Sequence, residues 1–177
     1  MEYLDVVTEN NELTGRKEER NFIHENGIWH REVAVWIMNE NGEILLQKRS
    51  KTKKQYPDKW AICAGHVDAN ESVEVAMVRE IEEEIGISLK IEDLEFLGVY
   101  KVQEETNNIK NNYFNYTYFI KRDWKIEDYK IRLEELSEVK YFSFEKIEEM
   151  IRNGSEDVTF VEKSYMPEIL ELLRNRL

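Results

Sequence analysis

The chain has 177 residues, which is enough for one domain with a substantial core and too few for two domains of common size. Hydrophobic residues make up 41% of it and charged residues 35%, as in a water-soluble globular protein. The formal net charge of −12 argues against general affinity for nucleic-acid polymers or anionic membranes, because such affinity needs an extended basic surface. We therefore expect one domain over residues 1–177.

The sequence also favours a cytoplasmic protein. Its start, MEYLDVVTEN, lacks the basic and apolar regions of a signal peptide. The longest apolar run, Val33 to Met38, is far too short to cross a bilayer. A single cysteine, Cys63, excludes an internal disulfide and fits a reducing compartment.

The first part of the chain predicts an N-terminal arm and then a β-hairpin. Within the arm, residues 1–28, the apolar run Tyr3 to Val7 is a candidate edge strand, and the charged segment Arg16 to Glu25 predicts an extended arm or a short helix. The segments His30 to Met38 and Glu43 to Lys48 are rich in apolar residues and flank a turn sequence, so they predict the two strands of the hairpin.

Basic residues follow the hairpin in a cluster that stands out in this acidic chain: Arg49, Lys51, Lys53, Lys54 and Lys59. They predict either a solvated loop or a local site for an anion. The apolar run from Trp60 to Ala64 then predicts a short strand that leads to Gly65.

The second half predicts further strands and two closing helices. Strand patterns cover Leu94 to Glu104, Tyr113 to Ile120 and Val139 to Phe142, with the polar stretch Glu105 to Asn112 joining the first two, and helical patterns cover Phe144 to Arg152 and Tyr165 to Arg176. Short strands around one central helix, with helices at the end, predict an α/β layered domain with a mixed sheet.

The central helix lies within residues 65–87, GHVDANESVEVAMVREIEEEIGI. At about 100° of rotation per residue, Glu80, Glu83 and Glu84 fall within an arc of roughly 100° on one face. Ser72 fits the N-cap and Gly86 the position after the last turn. Like charges at this spacing cost a helix roughly 0.2–0.5 kcal/mol per pair, so a bound divalent cation such as Mg²⁺ would compensate for them.

This stretch resembles the Nudix box. Its fixed positions are filled by Gly65, Glu71, Arg79, Glu80, Ile81, Glu83, Glu84, Gly86 and Ile87. The alternative interpretation, a solvated acidic helix face, does not require a glycine, a glutamate and an arginine at those distances. The resemblance covers about residues 30–150 and implies an α/β/α sandwich with a mixed sheet and the Nudix helix at the active site.

The resemblance implies a metal site and a set of catalytic candidates. Metal ligands would be Glu80, Glu83 and Glu84, with the carbonyl of Gly65 as an additional candidate, and the cofactor Mg²⁺ or Mn²⁺. Catalytic candidates are Glu83, Glu80, Arg79 and Glu71. Of these, Arg79 and Glu71 are expected to pair with each other and to support the box first, with a catalytic role second.

The Nudix family cleaves a nucleoside diphosphate linked to another group, by attack of water on phosphorus. The general base is left open between a box glutamate and one of Glu104, Glu105, Glu134 and Glu135. Aromatic residues are candidates for stacking on a nucleoside base of the substrate, although core packing is their commoner role: Trp29, Trp36, Trp60, Tyr100 and Tyr113.

A second resemblance concerns WHREVAVWIMNENGEILLQKRSKTKKQYPDKW, which is similar to part of isopentenyl diphosphate isomerase, an enzyme with the Nudix fold. It implies that Arg49 and Lys53 contact a diphosphate. His30 and His66 match two metal-binding histidines of the isomerase, and His24 is within one position of a third. We take Arg49, Lys53 and His66 as candidate substrate contacts.

The chain also departs from the isomerase. Ala64 replaces the catalytic cysteine before Gly-His, and Cys63 is expected to point to the opposite side of the strand. No carboxylate occupies Asn111 to Phe114, where the isomerase has metal-binding glutamates. The isomerase's own Nudix box is degraded, whereas this box is complete.

We therefore expect a divalent-metal-dependent Nudix hydrolase acting on a small diphosphate, as a monomer or homodimer. Two alternatives remain open: an isomerase-like enzyme that acts on an isoprenoid diphosphate, and a non-catalytic nucleotide sensor.

Overall fold

The central strand of the protein is built from its longest apolar run. The computed structural model describes residues 2–53, 55–106, 109–160 and 164–177. The strands are β1 (Tyr3–Val7), β2 (Leu13–Glu19), β3 (His30–Met38), β4 (Ile44–Arg49), β5 (Trp60–Ala61), β6 (Cys63–His66), β7 (Glu95–Thr106), β8 (Ile109–Lys121) and β9 (Leu136–Phe142). The α-helices are α1 (Arg20–Asn26), α2 (Val73–Ile85), α3 (Phe144–Arg152) and α4 (Met166–Arg174), and short 3-10 turns cover Ile91–Asp93 and Ile126–Asp128.

A seven-stranded mixed sheet organises the fold. Strand β3 lies between β4 and β8 and also pairs with β6, while β9 extends the sheet beyond β4 and β7 beyond β8. The pairing of β3 with β8 is parallel, and its other pairings are antiparallel. Strands β1 and β2 form a separate two-stranded sheet. The mixed α/β architecture expected from the sequence is thus confirmed.

The two faces of β3 bury different cores. Val33, Val35 and Ile37 pack on one face in a cluster that includes the apolar residues of α2. Ala34 and Trp36 belong to the cluster on the other face, which includes the apolar residues of α3 and α4. Because both faces are covered by helices, the strand reads as one continuous apolar run.

Both ends of α2 are closed by the expected residues. The Ser72 hydroxyl accepts a hydrogen bond from the Val75 amide at 3.3 Å, which satisfies one of the free N–H groups of the first turn. Gly86 follows the last turn with φ +71°, and its amide donates to the Glu82 carbonyl. These caps fix where the helix that carries the box begins and ends.

Several boundaries differ from those predicted. The charged segment of the arm forms β2 and then α1, and the apolar run 60–64 is divided into β5 and β6. The polar stretch predicted as a connection, residues 105–112, mostly continues the pairing of β7 with β8, down to Thr106 opposite Ile109. This prediction failed because the stretch is polar in sequence and so lacks the apolar alternation that indicates a strand. Strand β9 begins at Leu136, earlier than expected.

None of the described helices is long and apolar enough to span a membrane.

Gly86 provides a test of how tightly the end of α2 is packed. An added Cβ there would lie 2.6 Å from the Lys130 Cβ and 2.9 Å from its carbonyl oxygen, whereas Gly154, also at positive φ, meets nothing within 4 Å. We expect Gly154→Ala to lower the free energy of unfolding by about 1–2 kcal/mol, the cost of a left-handed non-glycine residue. Gly86→Ala should cost clearly more in urea denaturation. Equal losses would contradict the packing described.

Candidate active site

A cavity of about 440 Å³ opens beside β6, where α2 approaches this strand. Its wall combines acidic, basic and aromatic side chains from distant parts of the chain. Residues from the box that line it are Gly65, His66, Asp68, Arg79, Glu80, Glu83 and Glu84. The N-terminal arm contributes Glu2 and Arg20, which sequence reasoning did not place there.

Gly65 admits the carboxylate of Glu80 to this cavity. A Cβ built on Gly65 would lie 2.0 Å from the Glu80 Cδ, so the carboxylate occupies the space that any other residue would fill. Because Gly65 belongs to β6 and Glu80 to α2, this contact sets the separation between strand and helix. The fixed glycine at the start of the box therefore has a steric reason.

Arg79 holds the box together. Its Nε and Nη2 donate to the two carboxylate oxygens of Glu71 at 2.9 and 2.8 Å, and Nη2 also donates to the His66 carbonyl at 2.9 Å. Its Nη1 donates to Glu80 at 2.7 Å. Burial opposes ionisation of Glu71, but the hydrogen bonds from Arg79 hold its pKa below the ordinary value. The predicted pairing of Arg79 with Glu71 is confirmed.

Ionisation of Glu80 and Glu84 is unfavourable because both carboxylates are largely buried. Burial, reinforced by the negative charge of Glu84, raises the pKa of Glu80 to about 7 despite the contact with Arg79. Glu84 is 7% exposed, and burial raises its pKa too, although Gln47 Nε2 and the Ala64 amide donate to its Oε2 at 2.7 and 3.2 Å. A cation between these carboxylates would favour their ionised forms.

Glu83 lies at the open side of the same helix face. Its side chain is 41% exposed, and one carboxylate oxygen lies 3.6 Å from Arg79 Nη1 and 3.9 Å from Arg132 Nη1. In the described residues, the three box glutamates do not bring one oxygen each within 4.8 Å of one another. They line one cavity without forming a closed ligand set.

Three histidines, unlike the box glutamates, form a compact group of possible metal ligands. Ligand atoms of His24, His30 and His66 all lie within 4.8 Å of one another, and the Nε2 atoms of His24 and His66 are 3.2 Å apart. Burial lowers the pKa of His24 to about 4 and that of His66 well below its usual value, which keeps both imidazoles neutral. His30 Nδ1 lies 3.1 Å from the Ile28 carbonyl. Neutral imidazoles are the form that binds metals.

Glu32 completes this group, and sequence reasoning missed it. Its Oε1 lies 3.5 Å from the Nε2 atoms of both His30 and His66 and accepts from Asn111 Nδ2 at 3.2 Å. The residues around 111–114 carry no carboxylate, as the sequence shows, but β3 supplies one from the neighbouring strand. Glu32 stands two residues after His30, so strand alternation was the signal that could have found it.

The basic cluster after the hairpin is divided between the cavity and the surface. Arg49 and Lys53 line the cavity. Arg49 Nε donates to the Gln55 carbonyl at 3.1 Å, and Lys53 Nζ lies 2.5 Å from Glu135 Oε2. Lys51 is a mostly exposed side chain 3.9 Å from Asp58. Lys59 does not line the cavity, and Lys54 lies outside the described residues.

Of the candidate bases outside the box, Glu104 and Glu135 line the cavity, whereas Glu105 and Glu134 are exposed elsewhere. Among the aromatic candidates, Tyr113 lines the cavity. Trp29, Trp36, Trp60 and Tyr100 do not, and ring contacts such as Trp36 with Phe160 at 5.4 Å show their packing role. Sequence reasoning missed three cavity-lining aromatic residues, Tyr56, Phe160 and Tyr165.

The two residues before Gly65 face opposite sides of the sheet. Ala64 lines the cavity, while Cys63 is buried in the cluster with α2. The expectation that Cys63 points away from the position before Gly-His is confirmed. Burial raises the pKa of its thiol well above the usual value.

Comparison with known proteins gives the family. The NUDIX domain model matches residues 28–162. The chain is 35% identical over 166 residues to Nudix hydrolase 3 of Arabidopsis thaliana, which covers 90% of this chain and 21% of that longer protein. It is 30% identical over 155 residues to an uncharacterized Nudix hydrolase of Listeria monocytogenes, with 87% of each chain covered. An isopentenyl-diphosphate Delta-isomerase of Aliivibrio fischeri is 31% identical over 156 residues, covering 85% of each chain.

Solved structures share the fold. A crystal structure from Deinococcus radiodurans matches with a TM-score of 0.67 at 21% identity and covers 98% of each chain. The NUDIX domain of Shewanella oneidensis NrtR, solved with ADP ribose, matches with a TM-score of 0.60 at 16% identity, over 82% of this chain and 86% of that one. With a matching family model over most of its length and relatives of this similarity, the chain belongs to the Nudix hydrolases, enzymes of phosphoanhydride bonds, in the branch related to isopentenyl-diphosphate isomerase.

Proposed function

We propose that the protein hydrolyses the diphosphate linkage of a nucleoside diphosphate derivative, or of a related small diphosphate, with Mg²⁺ or Mn²⁺. The observation that carries this proposal is the position of Glu80. Its carboxylate fills the space left open by Gly65, beside the buried Glu84, in a cavity that Arg49 and Lys53 also line. Carboxylates and basic groups in one cavity suit a substrate that brings phosphate charges together with a cation.

The residues present fit a hard divalent cation. Burial and mutual repulsion raise the pKa of Glu80, so a positive charge at the carboxylates would remove an electrostatic cost. Glu80, Glu83 and Glu84, with the carbonyl of Gly65, are the groups that would hold it. When bound, such an ion screens phosphate charge and lowers the pKa of an attacking water.

The remaining roles belong to the chain's own side chains. Arg79 and Glu71 position the box by their paired hydrogen bonds and contact with Glu80. Arg49 and Lys53 would contact the phosphates, and His66 would do so as well if no cation occupies the histidine group. The base that accepts a proton from water is Glu83 or Glu80, with Glu135 and Glu104 as the alternatives that line the cavity.

The histidine group supports a second cation site. His24, His30, His66 and Glu32 offer three nitrogens and a carboxylate, a donor set that suits a transition metal better than Mg²⁺. His30 Nε2 is buried and has no hydrogen-bond partner among the described residues. A buried imidazole nitrogen whose contact with a carboxylate oxygen is as long as 3.5 Å is the structural reason to expect an ion there.

ADP ribose bound to the Shewanella oneidensis neighbour supports a nucleotide-derived substrate. The histidine group and the isomerase-named relatives favour an isomerase acting on an isoprenoid diphosphate as the second candidate. Ala64 at the cavity wall argues against the isomerase, because its side chain has no acidic proton to transfer. We further infer a cytoplasmic protein from its free cysteine, and a monomer or homodimer remains our expectation.

Glu83→Gln tests the hydrolase proposal. We expect metal-dependent release of phosphate or nucleoside monophosphate to fall by roughly 10² or more, because the amide cannot act as base or as an anionic ligand. The matched control is Glu82→Gln, one residue away on the exposed helix face, where Glu82 accepts from the Ser88 hydroxyl. The assay uses nucleotide sugars, dinucleoside polyphosphates, nucleoside triphosphates and isopentenyl diphosphate with Mg²⁺ and with Mn²⁺. Unchanged turnover in Glu83→Gln would refute the assignment.

Arg79→Lys tests the positioning role. Lysine keeps the charge but loses the paired contact with Glu71, so we expect the free energy of unfolding to fall by about 1–2 kcal/mol and kcat/KM by roughly 10- to 100-fold. Arg122→Lys is the control, because its pair with Asp93 is half exposed at 3.3 Å and should change stability by less than about 0.5 kcal/mol. Urea denaturation and kinetics measure both; identical behaviour of the two variants would contradict the role of Arg79.

His24→Gln tests the second cation site. Protein stripped with a chelator and then dialysed against Mn²⁺ should retain a metal equivalent that His24→Gln loses, measured by elemental analysis. Glu82→Gln is the control, because Glu82 lies on the exposed face of α2 and belongs to neither proposed metal site. If wild type and His24→Gln retain the same metal content, the histidine site is wrong.

A further inference from the structure

The cavity has a wall that the proposed hydrolysis does not use. Asn115 on β8 is 5% exposed and lines the cavity together with Phe160 and Tyr165. Its Nδ2 donates to the Tyr165 hydroxyl at 3.0 Å. Tyr165 stacks on Tyr100 with ring centroids 4.5 Å apart, so packing between the two rings holds Tyr165 in place.

The other polar atom of this amide has no partner. Within residues 2–53, 55–106, 109–160 and 164–177, the buried Oδ1 of Asn115 accepts no hydrogen bond. A buried carbonyl oxygen without a donor is destabilising, and each such atom in a native protein needs an explanation. Because Asn115 lines a cavity, a ligand can supply the missing donor.

A second group on this wall is ready to bind the same ligand. Burial raises the pKa of the Tyr165 hydroxyl, so it keeps its proton and can donate it in a hydrogen bond. An acceptor and a donor that contact each other match a ligand group that both donates and accepts. A hydroxyl group does this, whereas a prenyl chain would leave Asn115 Oδ1 without a donor and would offer Tyr165 no acceptor.

We propose that Asn115 and Tyr165 form a subsite for a hydroxyl-bearing group on the non-phosphate part of the substrate. The inference rests on the proposed function, because it concerns the substrate of the same cavity. It selects diphosphates with a sugar over isoprenoid diphosphates. The hydroxyl can come from the ribose of a nucleoside or from a second sugar attached to the diphosphate.

The test compares Asn115→Leu, an apolar side chain of similar size, with Thr117→Val. Thr117 is two residues further along β8, is 1% exposed and has a buried Oγ1 without a partner among the described residues, but it does not line the cavity. Both variants remove an unpaired buried polar atom from the same strand. Only the first should change ligand preference.

Dissociation constants are measured by calorimetry with Mg²⁺ in the Glu83→Gln background. A second-sugar source predicts that ADP ribose or UDP-glucose binds about 10-fold tighter than its parent nucleoside diphosphate. A ribose source predicts the same advantage for a nucleoside diphosphate over its 2′,3′-dideoxy analogue. In either case, Asn115→Leu should remove the preference and Thr117→Val should retain it.

The subsite is overturned if neither preference exists, if isopentenyl diphosphate binds as tightly as the sugar-bearing ligands, or if Asn115→Leu keeps the preference. Tyr165→Phe, which should also reduce the preference, provides the answer if Asn115→Leu does not fold. Absence of metal-dependent phosphate release by the wild-type protein would sink the hydrolase proposal separately, because these binding comparisons do not depend on turnover.

Discussion

The structure depends on how it accommodates buried negative charge beside β6. Glu80 and Glu84 both lie on the inner side of α2, where burial raises their pKa values. Arg79 contacts the first carboxylate, and Gln47 with the Ala64 amide contacts the second. Each donor comes from a different element, so helix, strand β4 and strand β6 must keep their relative positions for these charges to be tolerated.

The same sheet supports a hydrophobic core and a polar cavity because polarity changes along its strands. On the face of β3 away from α2, His30 and Glu32 precede Ala34 and Trp36, which belong to the core. Strand β8 runs parallel to it and places Asn115 beside Glu32. Polar residues therefore gather at one end of the paired strands and apolar ones at the other, without any change of secondary structure.

The sequence predicted those features that depend on residues close together in the chain. The central helix and both of its caps follow from spacing within a few turns, and the pairing of Arg79 with Glu71 followed from the family resemblance. The histidine group could be anticipated only by resemblance, because His24 and His66 lie in distant segments. Glu32 and the residues of the arm escaped because their significance depends on which strand lies beside them, and one sequence does not give that register.

Two neighbouring residues of β6, Ala64 and Cys63, face opposite sides of the sheet. Their positions bear on the choice between hydrolysis and isomerisation. At the cavity wall, Ala64 has no group that can give or take a proton. Cys63 does have one, but it packs against α2, and burial with the nearby Glu84 raises the pKa of its thiol well above the usual value. Turning it toward the cavity would reverse the alternation of β6 and expose the helix core. A proton-transfer step on an alkene at this wall would therefore need a group that this strand directs elsewhere.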